Sequence, residues 1–123
     1  MSELKERIRQ TIESEDVVLF MKGTPDRVFC GNSARALDAL RAVGAPVTAV
    51  DVLPDPAIRQ ELADLSNWPT IPQVFVRGEL VGGADIVQEL AETGELRQKL
   101  EEALGRDYAT GEERVIDLAA AAR

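Results

Sequence analysis

VVLFMKGTPDRVFCGNSARALDALRAVGAPVTAVDV, residues 17–52, contains a strand, a helix and a second strand in succession. The opening run VVLFM is continuously apolar and β-branched at its start, the pattern of a strand buried on both faces. KGTPDR follows as a polar turn. From Gly31 to about Val43 the apolar residues Ala36, Leu37, Leu40 and Val43 recur at helical spacing, until Gly44 and Pro46 stop them. PVTAVDV then reads as the second strand. A strand, helix and strand in so short a span form a βαβ unit, so the two strands are expected to be parallel with a right-handed crossover.

Before this unit, Leu4, Ile8 and Ile12 mark one stripe of a helix running from Ser2 to about Ser14. After it, Asp55 and Pro56 start another helix, because the carboxylate accepts from orphan amides and proline loses nothing at the first helical position. Ile58, Leu62 and Leu65 are its inward residues. QVFV, the turn RGE and LVG predict a β-hairpin. Asp85 is expected to cap a further helix with Ile86, Val87 and Leu90 inward, and beyond Gly94 the pattern resumes at Leu96, Leu100 and Leu104. The expected architecture is α/β in three layers, a four-stranded mixed sheet between helices. Residues 1–105 form the expected domain, and 106–123 a flexible appendage whose alanine-rich end is too short for a stable isolated helix.

With 123 residues, 45% of them hydrophobic and 29% charged, the chain has the composition of one globular domain. Twenty-two acidic against fourteen basic residues give a net charge of −8, which repels phosphate backbones and argues against nucleic acid as a partner. The absence of histidine excludes serine–histidine and cysteine–histidine catalysis and every histidine-bearing zinc site. One cysteine, Cys30, rules out an intrachain disulfide. MSELKERIRQ lacks an apolar signal core and no stretch approaches the ~18 apolar residues of a membrane span, so a cytosolic location is expected.

Three features bear on chemistry. Cys30 falls where the turn after the first strand meets the next helix, over the positive end of the helix dipole, with Lys22 at the mouth of the same loop. That setting lowers a thiol pKa. Two readings stand side by side: an activated thiolate at an exposed loop rim, for which the non-core neighbours Gly31, Asn32 and Ser33 argue, or a small buried hydrophobe with Lys22 as a solvated charge. In SNWPTIPQV, Pro72 forces Ile71 into extended backbone; a cis Ile71–Pro72 bond would offer the Ile71 backbone to a peptide-like ligand, whereas a trans bond makes an ordinary strand entrance. In GGAD, the two glycines allow a ligand close to the backbone, and Asp85 is either a cap or an acceptor for a ligand ammonium. Arg59, taken alone, is a solvated helix residue.

Together, KGTPDRVFCGNS and SNWPTIPQVFVRGELVGGAD, with the spacing between them, resemble the monothiol glutaredoxins of the thioredoxin fold over about residues 3–105. In that family KGTP precedes CGFS, and a cis proline in the WPT-x-P pattern faces the cysteine. The resemblance implies a glutathione groove: Lys22 and Arg59 toward the glycine carboxylate, Ile71 pairing through its backbone, and Ala84 with Asp85 at the γ-glutamyl end. It departs at three points, since CGFS has become CGNS, the proline two residues before the cysteine is Val28, and the cysteine often found in GGCD is Ala84. Asn32 thus places an amide beside the thiol where a phenylalanine is usual.

Three functions follow as expectations. The first is carriage and transfer of a [2Fe–2S] cluster. Four thiolates are needed and one chain supplies one, so Cys30 of two chains plus two glutathione molecules would bridge a homodimer, with BolA-like proteins and iron–sulfur acceptors as partners. The second is glutathione-dependent thiol–disulfide exchange at Cys30, resolved by glutathione. The third is a regulatory module that keeps the groove without chemistry.

Overall fold

The structure, a computed structural model, describes residues 2–121. Helix α1 (Glu3–Ser14) begins at Ser2, whose hydroxyl accepts from the Lys5 amide and so satisfies one orphan donor of the first turn. It buries Ile8 and Ile12, as their spacing predicts. Strand β1 (Val17–Met21) is buried at all five positions. Its side chains alternate: Val17, Leu19 and Met21 enter the core on one side of the sheet, Val18 and Phe20 the core on the other. The short strands β2 (Gly23–Thr24) and β3 (Arg27–Val28) make a small hairpin of their own before helix α2 (Gly31–Ala42) and strand β4 (Val47–Asp51). β1 and β4 pair in parallel, Val18 opposite Thr48 through Met21 opposite Asp51, which is the expected βαβ unit.

Helix α3 (Pro56–Ser66) starts as the sequence predicts, with the Asp55 carboxylate accepting from the Ala57 amide and Pro56 in the first turn. β5 (Gln73–Val76) and β6 (Glu79–Gly82) form the expected antiparallel hairpin, and β5 runs antiparallel to β1. Phe20 and Phe75 meet edge to face across that pairing, with ring centroids 5.7 Å apart. Helices α4 (Ala84–Thr93) and α5 (Glu95–Leu104) follow, separated by Gly94 at φ 88°, a left-handed value that glycine adopts without strain. Two expectations for α4 are corrected. Its N-cap is Gly83, which leaves Asp85 in the first turn, and Ile86 faces outward while Val87 is fully buried.

The larger correction concerns the segment after Gly105. Residues Glu113–Val115 form β7, parallel to β4, and Leu118–Ala121 form the short helix α6. The sheet therefore has five strands, in the order β6-β5-β1-β4-β7, rather than four, and the segment expected to hang free is held to it; residues 122 and 123 lie outside the described residues. Tyr108 is buried and its hydroxyl donates to the Val43 carbonyl at 2.8 Å. Arg41 donates twice to the Glu113 carboxylate, at 2.7 and 2.8 Å, while Leu118 and Ala119 are buried beside α1 and α3. The physical reason is the edge of β4: without a neighbour its amides and carbonyls would stand unpaired. Backbone pairing meets that need with very few apolar residues, so no hydrophobic period announces it.

α2, α4 and α5 cover one face of the sheet, and α1, α3 and α6 the other. Because β1 and β4 are parallel, the loops leading into α2 and α3 emerge at the same edge. Replacing Tyr108 by Phe leaves the Val43 carbonyl without this donor. It should lower unfolding free energy by about 1–2 kcal/mol in urea titrations with an unchanged m value.

Candidate functional site

Cys30 occupies the N-cap position of α2 in extended backbone, φ −143° and ψ 130°, so its sulfur sits over the first free amides of the helix. The Ser33 amide is the strongest influence that holds its thiol below the ordinary thiol range, followed by the Asn32 amide, the Ser33 hydroxyl and the charge of Lys22, with partial burial opposing them. The thiol is half-buried rather than fully at the rim. Ser33, expected among the exposed neighbours, is fully buried. Its oxygen accepts from the Lys22 amide at 3.0 Å, which frees the hydroxyl proton to be donated to sulfur.

The loop before Cys30 is fixed from β4. Asp51 Oδ1 accepts from the amides of Gly23 and Leu53, both at 2.9 Å, joining the end of β1 to the end of β4. Gly23 is at φ 103°, and a Cβ there would lie 2.3 Å from the Arg27 carbonyl oxygen, so the turn requires glycine. The Phe29 amide donates to the Lys22 carbonyl at 3.0 Å, and the Phe29 ring, 61% exposed, lies under the Arg27 guanidinium at 5.4 Å.

Beside this loop lies a cleft of about 280 Å³. Trp68, Thr70, Ile71 and Pro72 form one wall, the start of α4 from Gly83 to Ile86 forms the other, and Asn32 lies at its end two residues from the cysteine. The Ile71–Pro72 bond is cis. Gln73, buried at the start of β5, holds the wall by donating to the carbonyls of Trp68 at 2.7 Å and Thr70 at 3.1 Å. The two glycines of GGAD are required by the packing of the chain itself. A Cβ on Gly82 would meet Ile86 at 2.9 Å, and one on Gly83 would meet the Pro72 carbonyl at 3.3 Å. They let α4 start tight against the proline turn.

Of the residues expected to act together, Ile71, Ala84 and Asp85 line this cleft. Lys22 stands next to Cys30, close enough to act on its thiol. Arg59 is exposed in the first turn of α3, on the helix layer opposite α2, and the structure does not bring it into the cleft lining. Among the described residues no cluster of three or more cysteines, aspartates or glutamates is arranged to hold a metal ion. Sequence reasoning missed Ser33, Asp51 and Gln73. A polar residue inside an apolar strand was the available signal for Gln73 and Asp51; nothing in the local pattern marked Ser33.

A central sheet with β1 flanked by β4 and the cis-proline hairpin, and one thiol at the N-terminus of α2, define a thioredoxin-like fold that carries a single cysteine. The Glutaredoxin family model matches residues 17–81. A monothiol glutaredoxin described as ycf64-like from Synechocystis is 49% identical over 83% of this chain and 95% of its own. Glutaredoxin 4 of Escherichia coli K12 is 46% identical over 86% and 92%. The chain spans about a fifth of the length of other relatives, such as monothiol glutaredoxin-S17 of Arabidopsis thaliana, of which it covers 20%. Among solved structures, reduced apo GrxS14 of poplar superposes with a TM-score of 0.73 at 40% identity, covering 82% of this chain and 93% of that one. A buckwheat glutaredoxin–glutathione complex gives 0.71 at 26% identity, covering 81% and 89%. The chain belongs to the glutaredoxin family, and its relatives there include proteins named monothiol glutaredoxin and Glutaredoxin 4.

The lowered thiol pKa means that the thiolate fraction at neutral pH exceeds that of a free cysteine, whose pKa is ~8.5. The pH midpoint of iodoacetamide labelling should lie below that of a free thiol, and Ser33→Ala, which removes the hydroxyl donor, should move it upward.

Proposed function

We propose that this protein binds glutathione in the cleft between the cis-proline turn and the start of α4, and that it carries and transfers a [2Fe–2S] cluster. The observation that supports this most directly is the stabilised thiolate of Cys30 in a sequence with no second cysteine and no histidine. One chain offers one soft ligand, so the fit to a cluster needs Cys30 from two chains and the thiolates of two glutathione molecules. Cys30 would be the protein's ligand to the cluster, which supplies transferable iron and sulfide when bound. Lys22 would face the glycine carboxylate of glutathione, with Arg59 further out along the same sheet edge. The Ile71 backbone would pair with the cysteinyl residue, and the Ala84 and Asp85 end of the cleft would take the γ-glutamyl group. A cluster-bridged homodimer, BolA-like partners, iron–sulfur acceptors and a cytoplasmic setting belong to this proposal. Among the described residues no helix is long and apolar enough to cross a membrane.

A second reading, deglutathionylation, is favoured by the same thiolate. Cys30 would attack the glutathionyl sulfur of a mixed disulfide and expel the substrate thiolate; a second glutathione would then attack, releasing glutathione disulfide and restoring the Cys30 thiolate. The net exchange converts one mixed disulfide and one free glutathione into one substrate thiol and one glutathione disulfide.

Anaerobic reconstitution with iron, sulfide and glutathione should produce a visible chromophore on a species of two chains, lost when glutathione is omitted and lost in Cys30→Ser. A colourless product, or a chromophore that survives Cys30→Ser, rules out the cluster proposal. A deglutathionylation rate well above background in the same preparation would then favour the second reading.

A further inference from the structure

Arg35, one turn into α2, extends across to α4. Its Nη2 donates to Asp85 Oδ1 at 2.7 Å, its Nε to Gln88 Oε1 at 2.9 Å and its Nη1 to Asn32 Oδ1 at 3.1 Å. Asp85 and Asn32 both line the cleft. The Asp85 side chain is 90% exposed, and the Arg35 fork fixes its rotamer. A carboxylate has acceptor sites for more than one donor, so Asp85 can keep this pairing and still receive an ammonium.

We propose that Arg35 and Asp85 together read the zwitterionic α-amino-acid end of the bound thiol, the ammonium on Asp85 and the carboxylate on Arg35, which makes Arg35 a specificity-determining residue. The inference rests on the glutathione reading above and extends it. Ammonium and carboxylate share one carbon in such a ligand, and here Arg35, standing just outside the cleft lining, is bonded to Asp85 and Asn32 within it, so a donor of one charge adjoins an acceptor of the other at the rim. A ligand with the amine alone can still meet Asp85, but it adds a positive charge beside the Arg35 guanidinium without a carboxylate to pair with it. A zwitterion meets an opposite charge at both groups. Asn32 gains a role in the same arrangement. Its amide oxygen steadies the Arg35 fork, a hydrogen bond that phenylalanine at this position could not accept.

The test is calorimetric binding to the full-length reduced protein of two probes: glutathione, and γ-aminobutyryl-cysteinyl-glycine, which lacks only the α-carboxylate. The unmodified protein should prefer glutathione. Arg35→Gln should weaken glutathione binding about fivefold, the size of one charge-assisted hydrogen bond partly open to water, and leave the analogue within about twofold. Arg35→Lys should recover part of the loss. Equal losses for both probes, no loss, or tighter glutathione binding in Arg35→Gln would each overturn the role of Arg35 while leaving the glutathione groove intact. Absence of glutathione binding by the unmodified protein would overturn the groove itself and this inference with it.

Discussion

The hydrogen bond from the Lys22 amide to the Ser33 hydroxyl oxygen joins the end of β1 to the first turn of α2, and the chemistry of the thiol depends on it. β1 is buried on both faces, so its end is fixed by the two cores. Through Ser33 that rigidity passes to the N-terminus of α2, whose amides must lie at the sulfur to favour its charged form. Asp51 performs the matching task from β4 by gripping the Gly23 amide. The loop thus spans two parallel strands and is anchored at both, which is how a short polar segment presents one half-buried sulfur in a constant orientation. A serine hydroxyl suits the position because it accepts from one neighbour and donates to another at the same time.

The opposite wall uses a different device. The cis-proline turn has its backbone carbonyls at Trp68 and Thr70 tied by the buried Gln73 amide, and α4 approaches it closely because Gly83 lacks a side chain. The two walls are then joined by Arg35, which rises from the thiol-bearing helix to the helix of the far wall. The cleft width is therefore set by backbone packing, and its charged end by one exposed guanidinium. Packing is insensitive to salt, whereas the exposed pair is screened by it. Ligand binding should combine a component indifferent to ionic strength with one that weakens as ionic strength rises.

Apart from the small β2–β3 hairpin, which the sequence reads only as a polar turn, the order and type of the elements from α1 to α5 were legible because each buries an apolar stripe of the right period, and Ser2, Asp55 and Gly94 punctuate them in the sequence. The residues of the cleft wall were legible too, through the motif they form. What escaped was whatever depends on backbone pairing or on contacts distant in sequence. β7 contains Glu113, Arg114 and Val115, all exposed, and is held by the β4 ladder and by ion pairs from Arg41 and Glu15. Ile86 broke the expected helical face because it fills the space left by Gly82. Ser33 seemed an exposed loop residue, since nothing in CGNS shows that β1 ends against it.

The net charge of −8 is set against the anionic form of the thiol, and the short range of charge in salt solution together with the α2 amides resolves this. Lys22, Arg27 and Arg35 are matched in this region by Asp26, by Asp51 bonded to the Gly23 amide and by Asp85 bonded to Arg35, so the neighbouring charges balance, and an anion at the sulfur is favoured chiefly by the α2 amides, with Lys22 contributing less. Charges more than the ~8 Å Debye length away are largely screened at physiological ionic strength, so the distant acidic surface has little weight at the sulfur while these neighbours act almost in full. The same local field that favours a thiolate over a thiol favours a ligand carboxylate over a neutral group. The stabilised thiolate thus follows from helix amides held at the sulfur, with Lys22 beside them, over a loop that the parallel strands hold still.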